Sequence, residues 1–208
     1  QIAEVLAESA GDSSGAFDAM ARAIEALPSV QASWHRLAEF AHGSGRIEDL
    51  ARVYERVGRG QTGEISVDLL MTAARICAEE LTDLPRAVDL YAEVVRWNPR
   101  NLEAIEAIEA GYRGLGQTER LAAVLVQKAG LLTDVDDCVR ALYLAGELEE
   151  QLGCLERAVM AYEKVLEIDE GDVRALDALI RLFRSLRRWE YVVHACQRKA
   201  EVTCDAEV

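Results

Sequence analysis

Apolar residues recur at spacings of three and four along most of the chain. In residues 139–172, a first set includes Leu142 and a second set includes Ala158 and Tyr162, with Gly153 lying between the two sets. These spacings place each set on one side of an α-helix. The pattern predicts that this segment is one helical hairpin, and no part of the sequence shows the alternation expected of a β-strand.

The same frame recurs six times. The predicted repeats cover about 1–30, 31–67, 68–101, 102–138, 139–172 and 173–208, so that shorter and longer copies alternate, a 34/37 alternation in length. The copies agree better when the sequence is compared with itself at a shift of two repeats. Ala3, Ala74 and Ala145 then align, as do Gly45 and Gly116. We therefore predict a unit of two repeats that is present three times.

These repeats resemble the tetratricopeptide family. The pattern of that family, about 34 residues long, places Trp, Leu, Gly and Tyr early in the repeat, Ala and an aromatic residue later, and Pro at the end. Here Trp34, Leu37, Gly45, Tyr54 and Pro99 occupy such positions. The resemblance covers essentially the whole chain, although no copy matches every position.

The resemblance implies an all-α fold, a right-handed α-solenoid of six antiparallel helix pairs with the first repeat truncated. It also implies a single array over residues 1–208, which we expect to be a segment of a longer protein. The final repeat carries apolar residues that need cover, among them Val192, Val193 and Cys196. An oligomer contact, with self-association through the terminal repeats, is the alternative source of that cover.

The charge of the chain narrows the choice of partners. The formal net charge is -14, although residues 173–208 carry seven basic and five acidic side chains. A surface this acidic repels phosphate backbones and anionic lipids, so we expect no nucleic-acid partner and no membrane partner. A basic ligand would be attracted instead.

Cysteine and lysine usage bear on the environment of the protein. There are five cysteines and no Cys-x-x-Cys pair, which predicts free thiols in a reducing compartment and hence a cytoplasmic location. All but three of the 23 basic residues are arginine, a composition similar to that of tetratricopeptide proteins of GC-rich bacteria.

The sequence contains no phosphate-binding loop and no nucleophile motif, so we predict that it is not an enzyme and needs no cofactor. One group of possible metal ligands is present. His35, Glu39 and His42 share a helix face, and imidazoles with a carboxylate at that spacing could ligate zinc. No fourth ligand is visible, and a polar helix face is the preferred interpretation.

The family resemblance implies that the first helix of each pair lines a concave groove. The twelfth position of successive repeats then reads Glu8, His42, Glu79, Arg113, Glu150 and Arg184. This alternation of charge fits either a ladder of ion pairs between repeats or a row of groups that grip a ligand, and we favour the ladder. By contrast, Tyr54, Tyr91 and Tyr162 recur at one repeat position and are expected in the core.

We predict that a protein or peptide partner lies along the groove over the third to fifth repeats. Leu69, Ile76 and Tyr143 would form an exposed apolar strip that anchors a partner bearing charges of both signs. The predicted groove residues are Leu69, Thr72, Ile76, Glu79, Glu103, Glu106, Arg113, Tyr143, Glu147, Glu150, Arg181 and Arg184.

Three functions follow from this sequence. The first is a protein-interaction module or scaffold, which rests on the repeat and on analogy with its family. The second is a structural spacer or oligomerisation arm of a larger protein. The third is a metal-binding protein built on His35, Glu39 and His42.

Overall fold

The computed structural model describes residues 13–28 and 31–205, and within those residues it contains α-helices and no β-strand. The eleven helices are α1 (Ser13–Ala26), α2 (Gln31–Ser44), α3 (Ile47–Gly60), α4 (Glu64–Arg75), α5 (Leu84–Trp97), α6 (Leu102–Gly114), α7 (Thr118–Ala129), α8 (Val135–Gln151), α9 (Leu155–Ile168), α10 (Val173–Ser185) and α11 (Trp189–Asp205). A π-helical segment, Ile76–Glu80, continues α4.

The helices follow the predicted repeats. The pairs α2–α3, α4–α5, α6–α7, α8–α9 and α10–α11 correspond to the second to sixth repeats, and α1 is the second helix of the first repeat. The predicted opening helix of that first repeat, which includes Glu8, lies outside the described residues. The predicted all-α solenoid class is confirmed. We call the surface formed by the first helices of the pairs the first-helix face, and the surface formed by the second helices the second-helix face.

The chain divides into two compact units, residues 1–111 and residues 112–208. In unit 1, each helix from α1 to α4 packs against the next helix along the chain, so that the series ends with α4 against α5. In unit 2, the same sequential packing joins α7, α8, α9, α10 and α11. Packing of this kind, in which each helix contacts its neighbours in sequence, is characteristic of solenoids.

Each turn between the two helices of a pair contains one residue with positive φ. These residues are Gly45, Thr82, Gly116, Gly153 and Arg187, and they keep the predicted alternation of longer and shorter repeats. In most of these turns, the amide of the following residue donates to the carbonyl five residues earlier; Arg46 N–H bonds to Ala41 O at 2.8 Å, for example. This is the Schellman end of a helix, and it caps carbonyls that would otherwise be unsatisfied.

The third repeat departs from this geometry at the π-helical segment. There the amide of Asp83 donates to Cys77 O at 2.8 Å, six residues earlier, whereas in unit 2 the amide of Cys154 bonds to Glu149 O, five residues earlier. The left-handed position in the third repeat is Thr82, with φ 53°. The sequence contains no signal for this wider turn.

The core is built from apolar residues of both helices in each pair, such as Leu37 on α2 and Leu50 on α3. Tyr54, Tyr91 and Tyr162 are all buried, which confirms their predicted place in the core. Glycines allow two of the closest contacts: Gly111 lies against Val88, and Gly146 lies against the ring of Tyr162. A β-carbon at Gly146 would lie 2.7 Å from the nearest ring atom.

Candidate interaction surfaces

A pocket of about 250 Å³ opens on the first-helix face of unit 1, and most of its lining is apolar. Residues from α2, α3 and α4, together with the turn that follows α1, form it. The lining residues are Pro28, Trp34, His35, Tyr54, Ile65, Asp68, Leu69 and Thr72. We call this the α2–α4 pocket.

The floor of the α2–α4 pocket is a fixed pair of aromatic rings. Trp34 on α2 stacks on Tyr54 on α3, with ring centroids 4.5 Å apart. The indole N–H of Trp34 donates to Pro28 O at 2.8 Å, which holds the ring in place. Burial raises the pKa of Tyr54, so its hydroxyl stays neutral at physiological pH. The floor is therefore rigid, uncharged and available for apolar contact.

The rim of the pocket combines an apolar residue with polar ones. Ile65 keeps 43% of its surface exposed, and His35 and Asp68 are also exposed. Asp68 lines a second hollow of about 500 Å³ as well, where Trp97 is 57% exposed. Unit 1 thus has two adjacent hollows, one mostly apolar and one of mixed polarity, and the carboxylate of Asp68 lines both.

The predicted groove residues of unit 1 separate into two groups. Leu69 and Ile76 are only 7% and 8% exposed, so the prediction of an exposed apolar strip is wrong for these two residues. Both side chains are largely covered, because neighbouring helices pack against α4 on two sides. Thr72 is partly exposed, while Glu79, Glu103 and Glu106 are exposed. Only Leu69 and Thr72 meet in the α2–α4 pocket.

In unit 2, Tyr143 belongs to a bonded network rather than to an open surface. Its hydroxyl donates to Asp172 at 2.7 Å, and the guanidinium of Arg174 lies 4.6 Å from its ring centroid. The ring also packs against Tyr162 at 5.7 Å. Burial and the bond to Asp172 raise the pKa of Tyr143. These contacts fix Tyr143 in place, so its ring is not a free anchor for a partner.

The same network continues to two other predicted residues. Tyr162 donates its hydroxyl to Glu150 at 2.9 Å, and Arg181 Nη2 donates to the same Oε1 of Glu150, also at 2.9 Å. The hydrogen bond from Arg181 lowers the pKa of Glu150. The remaining predicted residues of unit 2, Arg113, Glu147 and Arg184, are exposed. Arg181 and Arg184 line a hollow beside α11.

Ion pairs do join neighbouring repeats on the first-helix face, but with different partners from those predicted. His42 pairs with Glu80 at 3.0 Å rather than with Glu79. Glu150 pairs with Arg181 rather than with Arg184. The predicted ladder therefore exists between these repeats, with its residues shifted by part of a helical turn.

A more extensive set of ion pairs joins consecutive second helices. In unit 1, Arg86 on α5 binds Glu48 at 2.9 Å and Glu55 at 2.8 Å, both on α3. In unit 2, Arg157 on α9 binds Glu119 on α7 at 3.0 Å. Further pairs of this kind are Arg46–Asp18, Arg56–Glu25, Arg59–Glu93 and Arg188–Glu156. Sequence reasoning missed these bridges because it examined only the first helices for charge.

The three candidate metal ligands are arranged for other roles. His42 is held between Ala38 O at 2.7 Å and Glu80, and these contacts raise its pKa, the carbonyl contact more than the carboxylate. Glu39 accepts from Arg36 at 3.2 Å. Across residues 13–28 and 31–205, no group of three or more His, Cys, Asp or Glu side chains is placed to hold a metal ion.

All five cysteines are free thiols, as predicted. Cys77 and Cys138 are buried, and burial raises the pKa of Cys77. Within the described part of the chain, every helix is too short or too polar to cross a bilayer.

The helix hairpins and their capped turns define an α-solenoid of repeated pairs. Residues 139–172, which include α8 and α9, match the family model described as tetratricopeptide repeat. This segment is therefore a tetratricopeptide repeat. Such repeats present helix faces on which other proteins dock.

Comparison with solved structures and curated proteins adds the following. MamA from Desulfovibrio magneticus RS-1 is 19% identical, with a TM-score of 0.42, covering 82% of this chain and 91% of that one. YrrB, described as a TPR protein with an unusual peptide-binding site, is 15% identical, with a TM-score of 0.43 and coverage of 91% and 94%. BtubC from P. vanneervenii is 12% identical, with a TM-score of 0.42 and coverage of 95% and 90%. No curated protein matches the sequence.

Proposed function

We propose that the chain is a protein-interaction module, a scaffold rather than an enzyme, that docks a peptide segment of a partner on the first-helix face of unit 1. The observation that carries the proposal is the α2–α4 pocket, whose fixed Trp34–Tyr54 floor lies beside an exposed apolar residue and a carboxylate. Apolar hollows with a few polar groups at the rim are the usual form of a binding site.

The chemistry of the pocket indicates the kind of segment that fits. An apolar side chain would enter the α2–α4 pocket and contact Ile65 and the aromatic floor. A second apolar side chain would contact Trp97 in the neighbouring hollow, and a basic residue between them would pair with Asp68, which lines both hollows. The exposed Glu103 and Glu106 add negative charge to unit 1, which would speed the approach of a basic segment.

Selection of peptides from a random display library against the whole chain tests this function. We expect the selected peptides to share a Lys or Arg between two apolar residues. Ile65→Asp should weaken their binding by about 30-fold, because truncating a central anchor typically costs about 2 kcal/mol or more. Asp68→Lys should also weaken it. Met160→Asp is the matched control, since Met160 is 59% exposed on α9 of unit 2.

Three results bear on this proposal in measurements of peptide binding by fluorescence polarisation. Loss of binding in Ile65→Asp with full retention in Met160→Asp supports it. Equal binding by wild type and Ile65→Asp, or selected peptides without a basic residue, would refute it. Reversing Glu103 and Glu106 to Lys should lower the association rate mainly at low salt, since exposed charges are screened at higher salt.

A second candidate function, an oligomerisation arm, is favoured by the exposed apolar residues of α11. Trp189 is 62% exposed and Val193 is 58% exposed, and exposed Cys196 lies on the same stripe of the helix. Under this function α11 packs against α11 of a second copy. Sedimentation that shows a dimer in wild type and a monomer in Val193→Glu would support it; a monomer in both would exclude it.

A further inference from the structure

A groove runs between α9 and α11 on the second-helix face of unit 2, separate from the proposed peptide site. Its volume is about 460 Å³. Buried side chains form its floor, namely Leu166, Leu176, Leu179, Phe183 and Ala195. We call it the α9–α11 groove.

The two walls of the groove differ in chemistry. Glu163 and Glu167 are four residues apart on α9 and therefore on one side of it, and Glu170 in the following turn lines the same groove. Tyr191, His194 and Arg198 stand on α11. Tyr191 is 55% exposed, and its ring packs on Phe183 with centroids 5.2 Å apart.

The acidic side chains of this wall form no ion pair within the described chain. Arg198 points to the end of the groove, where its Nη2 donates to the backbone carbonyl of Glu170 at 3.2 Å. Among the described residues, no cationic side chain lies within ion-pair distance of the carboxylates of Glu163 and Glu167. These carboxylates flank an apolar floor instead.

This arrangement differs from other contacts between consecutive second helices, which we call joints. Between α3 and α5, Arg86 crosses from one second helix to the next and binds Glu48 and Glu55. Between α7 and α9, Arg157 does the same with Glu119. Between α9 and α11, Arg188 reaches only Glu156, at 3.9 Å, and the groove opens further along the helices. Arg188 therefore bridges only the start of α11, and among the described residues a cation that pairs with Glu163 or Glu167 is missing here.

We infer that the α9–α11 groove is a docking site for a basic segment of a partner protein, which supplies that cation. An Arg or Lys side chain would lay its aliphatic stem on the floor beside Phe183 and place its charged end between Glu163 and Glu167. The exposed face of Tyr191 would contact a second cation of the same segment. Charge complementarity therefore selects an arginine- or lysine-rich occupant over an apolar helix.

A short fluorescein-labelled peptide of alternating arginine and alanine is the probe, and a glutamate–alanine peptide is its comparison. Fluorescence polarisation at about 150 mM salt limits long-range attraction to the acidic chain. We expect Glu163→Gln with Glu167→Gln to weaken probe binding by about tenfold or more. Asp89→Asn with Glu201→Gln is the matched control, because it removes the same net charge from two exposed sites outside the groove.

Tyr191 provides a second test of the groove. Tyr191→Ala should weaken probe binding by about tenfold, while Tyr191→Phe should retain it, because the ring face rather than the hydroxyl makes the contact. The substituted residues are exposed, so folding can be checked for each variant by its helical circular dichroism. Binding in all these variants is measured on the whole chain.

Four results would overturn the inference. They are no probe binding to wild type, an equal loss in the Asp89/Glu201 control pair, no loss in the Glu163/Glu167 pair, and a wild-type dimer that the Glu163/Glu167 pair dissociates. The last result would assign the groove to a second copy of the chain. Ile65→Asp should leave probe binding unchanged, so failure here is distinct from failure of the α2–α4 pocket.

Discussion

Replacing Gly146 by Ala should destabilise unit 2, although the same replacement in an exposed helix normally stabilises. Ala exceeds Gly in helix propensity by about 1 kcal/mol. Against that gain, a β-carbon at Gly146 would lie 2.7, 2.9 and 3.0 Å from three atoms of the Tyr162 ring. Overpacking of this kind costs about 1–3 kcal/mol.

The environment of Tyr162 decides the balance. The residue is 2% exposed, its hydroxyl is bonded to Glu150 at 2.9 Å, and its ring packs against Tyr143. Because these contacts hold the ring in place, it cannot move aside without losing them. We therefore expect the cost of overpacking to lie in the upper part of its range. The net loss should be about 1–2 kcal/mol, or roughly 2–8 °C in melting temperature for a chain of this size.

Urea denaturation followed by circular dichroism measures this loss. Gly43→Ala is the control, since a β-carbon there would meet only Ser13 Oγ, at 3.8 Å, and should stabilise or leave stability unchanged. In a Tyr162→Leu background the clash is relieved, so Gly146→Ala should become neutral or stabilising. The reasoning fails if Gly146→Ala stabilises the wild type, or if its effect is the same in both backgrounds.

Three further predictions concern the turns, one histidine and the thiols. Thr82→Gly should stabilise the fold by a few tenths to about 1 kcal/mol, because a left-handed conformation costs a non-glycine residue about 1–2 kcal/mol, while the greater entropy of glycine in the unfolded chain offsets part of that gain. Gly153→Ala should destabilise the fold. Urea titrations measure both changes, and equal effects would contradict the turn geometry. Both acceptors of His42, Ala38 O and Glu80, require N–H donors, so the bonded form is the imidazolium. Because its pKa is raised in the folded state, the stabilisation from these bonds is full below about pH 6.5 and is lost as pH rises through the folded-state pKa. The difference in melting temperature between wild type and His42→Gln should therefore fall over that pH interval. A difference that does not change with pH would exclude the linkage. Finally, strong reductant should leave the melting temperature unchanged, because the cysteines are unpaired, and a large drop would reveal a disulfide.

The periodic features of the fold were predictable from sequence because they repeat. The alternation of shorter and longer repeats located the turns, and the left-handed residues follow it even at Thr82 and Arg187, where no glycine marks the position. The burial of Tyr54, Tyr91 and Tyr162 followed from their recurrence at one repeat position. A repeated position has a repeated environment, which is why one assignment served three residues.

The candidate site was less predictable because it depends on how individual repeats differ. Leu69 and Ile76 occupy groove positions by register, yet burial depends on how closely the neighbouring helices cover them. Glu80, the last residue of the π-helical segment, forms the pair with His42 that was expected of Glu79. Trp34 was identified as a repeat residue and His35 as part of a polar helix face with a possible metal-binding role, so the pocket that they share was missed. An exposed Ile65 on α4 was the available signal.

The arginine bridges between second helices have a mechanical consequence. Within a pair, helices are joined by apolar contact, whereas successive second helices are also joined by exposed ion pairs such as Arg56 to Glu25 and Arg157 to Glu119. Salt screens exposed charges and leaves apolar contact intact. Ionic strength should therefore soften the joints between repeats while each hairpin stays stiff. Such a chain would bend more easily in concentrated salt and would yield to a pulling force one repeat at a time.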